Sequence, residues 1–124
     1  MIERKPLVTV VDDDDSVRES LPDLIREFGF AAAAFSSAEE FLTSGSQTET
    51  GCLILDISMP GMSGPDLQKE LQRRKLKIPI VFITANIDET DCPRLIEEGA
   101  VDCLFKPFGE ADLLRAVNAA LKLK

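Results

Sequence analysis

The sequence contains no histidine, no tryptophan and no tyrosine. Without histidine there is no imidazole metal ligand, no imidazole general base and no phosphohistidine carrier. Without tryptophan or tyrosine, platforms for stacking nucleic-acid bases are poor, and so is a flavin site. Positive charge is scarce: 14 Lys and Arg stand against 22 Asp and Glu, for a net charge of −8. A chain this acidic gains nothing from a phosphate backbone, so direct nucleic-acid binding is not expected. No apolar run approaches the ~20 residues that span a bilayer, and no charged start leads into an apolar segment, so neither membrane insertion nor a signal peptide is expected. Cysteine is sparse. Cys52, Cys92 and Cys103 form an odd count without close spacing. Cys52 and Cys103 lie in apolar runs and read as core thiols of a reducing compartment.

What is present is a balance of 44% apolar and 29% charged residues over 124 positions. That composition suits one globular domain with a single core, here read as residues 1–124. Short apolar runs alternate with helical patterns. Leu7 to Val11 is the first run, followed by helical spacing of Val17, Leu21, Leu24, Ile25 and Phe28. Ala31 to Phe35 is a weaker strand. Ser36 or Ser37 can cap a short helix, with Glu39 or Glu40 three residues on. Cys52 to Ile57 is an apolar strand interrupted only by Asp56, and Pro60, Gly61 and Gly64 mark a loop. A helix over 64–75, a strand Ile80 to Thr84, a helical stretch ending near Gly99, a strand Val101 to Phe105 and a helix over 110–123 complete the pattern.

Five strands each followed by a helix predict a doubly wound, five-stranded parallel α/β sheet covered on both faces. Ligands of such sheets bind at the carboxyl ends of the strands. Those ends carry Asp12, Asp13, Asp14 and Asp15 after the first strand, Asp56 after the third, Thr84 after the fourth and Lys106-Pro107 after the fifth. Asp14 and Asp15 are explained by helix capping and the helix dipole. Asp12, Asp13 and Asp56 are not. If they lie within ~5 Å of each other, each pair repels by roughly 3 kcal/mol at an effective dielectric near 20. A divalent cation and the Lys106 ammonium would compensate. Hard oxygen ligands suit Mg²⁺, which also neutralises phosphoryl oxygens.

In order, the motifs are V-V-D-D ending at Asp13, L-I-L-D-I-S-M-P-G-M-S-G around Asp56, F-I-T-A at Thr84 and F-K-P-F at Lys106. With gaps of 43, 28 and 22 residues between Asp13, Asp56, Thr84 and Lys106, the chain resembles the receiver domain of two-component response regulators, especially receivers of FixJ/LuxR-type transcription regulators. The resemblance implies a flavodoxin-like strand order 2-1-3-4-5. It implies Asp56 as phosphoacceptor, with Mg²⁺ held by Asp13 and Asp56, by Asp12 partly through water, and by the Ser58 carbonyl. It assigns Lys106 and Thr84 to the phosphoryl oxygens, gives Ser58 and Asn86 a part in tuning the phosphoryl lifetime, and makes the Lys106-Pro107 peptide cis.

The partner implied is a sensor histidine kinase of a bacterial phosphorelay, and the compartment the cytoplasm. The output surface would be the face of helix four, strand five and helix five, also the place for a homodimer. Such a protein is not an ordinary enzyme, although it catalyses its own phosphoryl transfer and autodephosphorylation. The chain reads either as a single-domain regulator or as the receiver of a longer transcription factor, the second being favoured by the FixJ-type motifs. Two departures fall on the output face. Cys103 stands where many receivers carry an aromatic switch residue, and Phe105, two residues on, is expected to substitute only partly. Pro93 falls in the middle of the expected fourth helix. That predicts a short helix starting near Pro93, capped by Asp91 or Cys92, after an irregular 86–91 segment. Pro22 reads as a local kink in the first helix. Three other readings are weaker. An aspartyl-nucleophile hydrolase needs a second acid where Ser58 stands. A flavodoxin-like binding module lacks stacking aromatics. A degenerate receiver serving only as an interaction module would not need the full set of site residues.

Overall fold

The computed structural model describes residues 5–86 and 88–122. Five strands, β1 (Leu7–Val11), β2 (Ala31–Phe35), β3 (Thr50–Asp56), β4 (Ile80–Thr84) and β5 (Asp102–Phe105), alternate with helices α1 (Asp15–Glu27), α2 (Ala38–Thr43), α3 (Gly64–Arg73), α4 (Cys92–Glu97) and α5 (Glu110–Lys122). All neighbouring strands pair in parallel, in the order β2-β1-β3-β4-β5. Every residue of β3 is buried, as its central place requires. Side chains alternate across the sheet. Cys52 and Ile54 point into a core with Leu21, Ile25, Leu113 and Val117 of α1 and α5. Leu53 and Leu55 point into the other, with Phe41, Leu67, Leu71 and Leu95 of α2, α3 and α4. Thr9 and Thr50 would each desolvate a hydroxyl in the sheet, but Thr50 Oγ1 donates to the Ser46 carbonyl and accepts from Thr9 Oγ1, both at 2.8 Å.

The helix starts follow local chemistry. Asp14 caps α1 by accepting from the Ser16 amide, and Ser37 caps α2 by accepting from the Glu40 amide. Pro22 lies inside α1 with its ring buried, and the helix runs on through it. Ser63 opens α3 with a capping box: its hydroxyl accepts from the Asp66 amide at 3.2 Å and the Asp66 carboxylate accepts from the Ser63 amide at 3.1 Å. Ser63→Ala should therefore lower stability by about 1 kcal/mol, seen as a lower urea midpoint with an unchanged slope. An unchanged midpoint would show that the box contributes nothing.

The fourth helix matches the expectation drawn from Pro93. It is six residues long, Asp91 occupies its N-cap position, and Pro93 sits in the first turn where no intrahelical N–H is needed. Asp91 makes no side-chain cap bond; it pairs with Arg94 instead, at 3.5 Å. The segment before α4 is irregular at 86 and 88–91, while residue 87 lies outside the described residues. So do residues 123 and 124 at the end of the expected fifth helix.

One expectation fails. Cys103 is not a core thiol. It forms a disulfide with Cys92, their Cα atoms 5.9 Å apart. The pairing of Cys103 with Phe82 turns it toward the sheet face that α4 covers, and α4 begins at Cys92. The juxtaposition comes from helix docking, which spacing along the chain does not reveal. Cys52 is a buried free thiol, its pKa pushed up to about 12 by burial.

Candidate phosphoacceptor site

Strand register sets the site. Val11 pairs with Leu55, Asp56 with Ile83 and Thr84 with Phe105, so β1, β3, β4 and β5 end at one edge. Asp12, Asp13, Asp14, Asp56, Ser58, Thr84, Ala85, Asn86 and Lys106 line a cavity of about 250 Å³ there. A larger groove of about 520 Å³ lies at the opposite end of β4, lined by residues such as Leu71, Leu76, Ile78 and Ile80 and carrying no acid cluster.

Asp12 is fully buried and Asp56 is 7% exposed, while Asp13 faces solvent. One carboxylate oxygen from each lies within 4.8 Å of the others. Asp12 is held on both oxygens: Oδ1 accepts from the Asp14 amide at 3.0 Å and Oδ2 from Lys106 Nζ at 2.8 Å. Burial pushes the Asp56 carboxyl up to about 7; the Asp12 charge adds to this and Lys106 opposes it. Burial works against the Lys106 ammonium, but its hydrogen bond and charge pairing with Asp12, then the charge of Asp56, outweigh it and raise its pKa. One ammonium therefore faces three carboxylates, and negative charge remains uncompensated. A hard divalent cation fits this donor set: all ligands are oxygens, two carboxylates are held in the fold, and the exposed Asp13 leaves the mouth open to water.

The backbone positions the remaining groups. The Lys106 amide donates to the Thr84 carbonyl at 2.8 Å, tying the ends of β4 and β5 together before the cis Lys106-Pro107 peptide. Thr84 Oγ1 accepts from the Asn86 amide at 3.1 Å, which leaves its own proton free to donate. Ser58 and Asn86 are exposed at the rim. Cys92, Pro93, Cys103 and Phe105 stand apart from the cavity, and Phe105 is 40% exposed at the sheet edge.

Two supporting residues were not anticipated. Arg18 donates from Nη1 to the Asp12 carbonyl at 2.9 Å while pairing with Asp15, so it anchors the backbone of the acidic run from α1. The Asp15–Arg18 spacing was a signal for the ion pair only. Gly64 packs directly on the Asp56 carbonyl; a Cβ there would lie 2.3 Å from that oxygen.

The family model of the response regulator receiver domain matches residues 8–118. The chain belongs to the response regulator receiver family. The receiver is 44% identical over 123 residues to response regulator protein TodT of Pseudomonas putida, covering 99% of this chain and 54% of TodT. It is 48% identical over 116 residues to nodulation protein W of Bradyrhizobium diazoefficiens, covering 94% of this chain and 51% of that protein. The crystal structure of FixJ-N superposes with a TM-score of 0.86 at 34% identity, covering 98% of this chain and 96% of that one. The chain spans about half the length of the curated relatives it matches. Membership implies phosphorylation-dependent signalling. Among the described residues, no helix is long and apolar enough to cross a membrane.

Proposed function

We propose that this receiver accepts a phosphoryl group on Asp56 from a phosphohistidine of a partner sensor kinase, and that the acyl phosphate switches its output face. The observation that carries this reading is the convergence of Asp12, Asp13 and Asp56 oxygens within 4.8 Å, beside the Lys106 ammonium, at one mouth of the sheet. Asp13 and Asp56 would hold Mg²⁺ directly, Asp12 partly through water, and the Ser58 carbonyl would complete the protein ligands. When bound, Mg²⁺ supplies charge neutralisation for carboxylates and phosphoryl oxygens.

The chain's own groups account for the rest. An Asp56 carboxylate oxygen attacks phosphorus in line as the bond to the donor nitrogen breaks, so positioning and charge neutralisation carry the catalysis. Lys106 is already oriented by Asp12, and its ammonium would pair with a phosphoryl oxygen. The Thr84 hydroxyl donates to a second oxygen. Ser58 and Asn86, at the rim, flank the approach of the water that later hydrolyses the acyl phosphate. Phosphorylation adds about −1.5 to −2 charges. Thr84 is drawn inward, and the surface of α4, β5 and α5 repacks. Ile96 and Phe105, large apolar side chains 44% and 40% exposed on α4 and β5, make that surface suitable for a second copy or an output domain. The protein works in the cytoplasm beside its kinase, as one receiver unit of a longer regulator. Apart from its own phosphorylation and dephosphorylation, it has no enzymatic turnover.

The test is incubation with acetyl phosphate and Mg²⁺, followed by intact mass. The expected result is one added phosphoryl group that hydroxylamine removes, as an acyl phosphate requires. No gain would leave a degenerate interaction module as the function; a gain resistant to hydroxylamine would place the group on a hydroxyl such as Ser58 or Thr84.

A further inference from the structure

Two stretches of chain leave the acidic cavity toward the same point. Thr84 and Asn86 line the cavity on one side, and Cys92, the first residue of α4, follows them in the chain. From Lys106 it runs back three residues along β5 to Cys103. The Cys92–Cys103 disulfide joins the far ends of these two stretches, closing a covalent ring through residues 92–103, while their near ends meet through the Lys106 amide and the Thr84 carbonyl.

The disulfide is one of the ties that attach α4, beside the hydrogen bonds from Gln68 Nε2 to the Leu95 carbonyl and from Gln72 Nε2 to the Glu98 carbonyl. Only Cys92 and Leu95 of its six residues are buried. One of its two buried side chains is therefore bonded to β5 through sulfur. Cys103 is the less buried of the two, on a strand at the edge of the sheet, while Cys92 is 8% exposed. Cys52 is different: it is fully buried, its thiol is held protonated by burial, and it has no part in the exchange.

We propose that Cys92 and Cys103 form a redox-active pair that couples the thiol state of the surroundings to the phosphorylated state of the receiver. The inference rests on the reading of Asp56 as phosphoacceptor. As the disulfide, the pair clamps the start of α4 to β5 and resists the displacement that a phosphoryl group at Asp56 asks of Thr84 and Lys106. As the dithiol, it leaves α4 held by side-chain packing and by the Gln68 and Gln72 hydrogen bonds, with no covalent tie to β5.

The chemistry balances with cellular classes of reagent. In the oxidising direction the two S–H bonds give way to one S–S bond, and two electrons and two protons pass to a peroxide, which leaves as two waters. In the reducing direction a dithiol reductant attacks the sulfur of Cys103, the less buried of the pair, expelling Cys92 as a thiolate. The reductant's second thiol then displaces Cys103, carrying away the disulfide. Coupling between two sites is reciprocal: if the clamp disfavours phosphorylation, phosphorylation favours the dithiol by the same factor.

The intact protein is equilibrated in a series of glutathione redox buffers with Mg²⁺, with and without acetyl phosphate, then quenched, alkylated and weighed. Cys92 and Cys103 should interconvert between dithiol and disulfide while Cys52 stays a thiol. Phosphorylation should raise the dithiol-to-disulfide ratio by about fivefold or more. In parallel, amide exchange in residues 85–91 and in α4 should be faster in the dithiol form, and Cys103→Ser should abolish every redox effect.

A pair fixed in one state across all buffers would overturn the proposal. So would reversible pairing with the same ratio in both phosphorylation states. Should no phosphoryl group be gained in either redox form, the Asp56 reading fails on its own. The clamp is then judged by exchange alone, and equal exchange of α4 in the two forms removes it.

Discussion

Asp56→Asn should take up no phosphoryl group from acetyl phosphate, and the same variant should melt several degrees higher than the wild type at pH 8 without Mg²⁺. The two results have one origin. The Asp56 carboxyl is pushed up to about 7 from an ordinary 3.8, first by burial and then by the Asp12 charge, with Lys106 pulling the other way. In the unfolded chain it returns to the ordinary value. Between these two values the folded state holds a proton that the unfolded state does not, so stability falls as pH rises through about 7. Below the unfolded value the carboxyl is neutral in both states and nothing is lost. The contribution is on the order of 2–3 kcal/mol, because the cavity mouth lets water reduce the full effect of the shift. Asparagine keeps the shape and removes the charge. Its advantage should therefore be large at pH 8 and small at pH 5, and the proposed binding of Mg²⁺ to the folded carboxylates should reduce it by stabilising the wild type. Melting curves of both proteins at the two pH values, with and without Mg²⁺, decide the matter. An equal gap at pH 5 and pH 8 would separate Asp56 from the charge conflict, and a phosphoryl gain that survives the substitution would remove it as acceptor.

Gly64→Ala should be the most damaging single-methyl change near the site. The ideal Cβ would sit 2.3 Å from the Asp56 carbonyl oxygen and 3.1 Å from Ile57 Cα, both backbone atoms that cannot rotate away. The Gly64 amide also donates to the Ile57 carbonyl at 3.0 Å, so the start of α3 is bonded to the chain segment it would have to leave. Either α3 moves or the end of β3 does. The expected cost is about 2–3 kcal/mol of stability, in the range of overpacked sites. Displacing the Asp56 carboxylate by about 1 Å should slow phosphoryl uptake on the order of 10²-fold. Urea unfolding gives the first quantity and the rate of mass gain the second. Wild-type phosphorylation kinetics in the variant would mean that α3 yields and Asp56 stays in place.

These two positions differ in how far the sequence exposes them. Asp56 stands out because a carboxylate in a Cys-Leu-Ile-Leu run demands a reason. Gly64 reads only as one of several loop residues, since the close approach that requires it depends on how α3 docks against β3. Strand boundaries behave similarly. β1, β2 and β4 follow the apolar runs without shift. β3 begins two residues earlier than its apolar run, at Thr50, where a hydroxyl pair with Thr9 replaces hydrophobicity as the reason for burial.

By itself, the sequence determined the parallel sheet, the edge at which Asp12, Asp13, Asp56, Thr84 and Lys106 meet, and the short proline-led α4. Two-sided burial, which makes the inner strands near-continuous apolar runs, and the missing proline N–H are local constraints, and each is written in consecutive residues. The tertiary structure alone decided three things: that Arg18 holds the Asp12 backbone, that Gly64 lies on Asp56, and that Cys103 meets Cys92 instead of resting as a core thiol. Each depends on the position and rotation of a helix over the sheet, which many distant side chains set together.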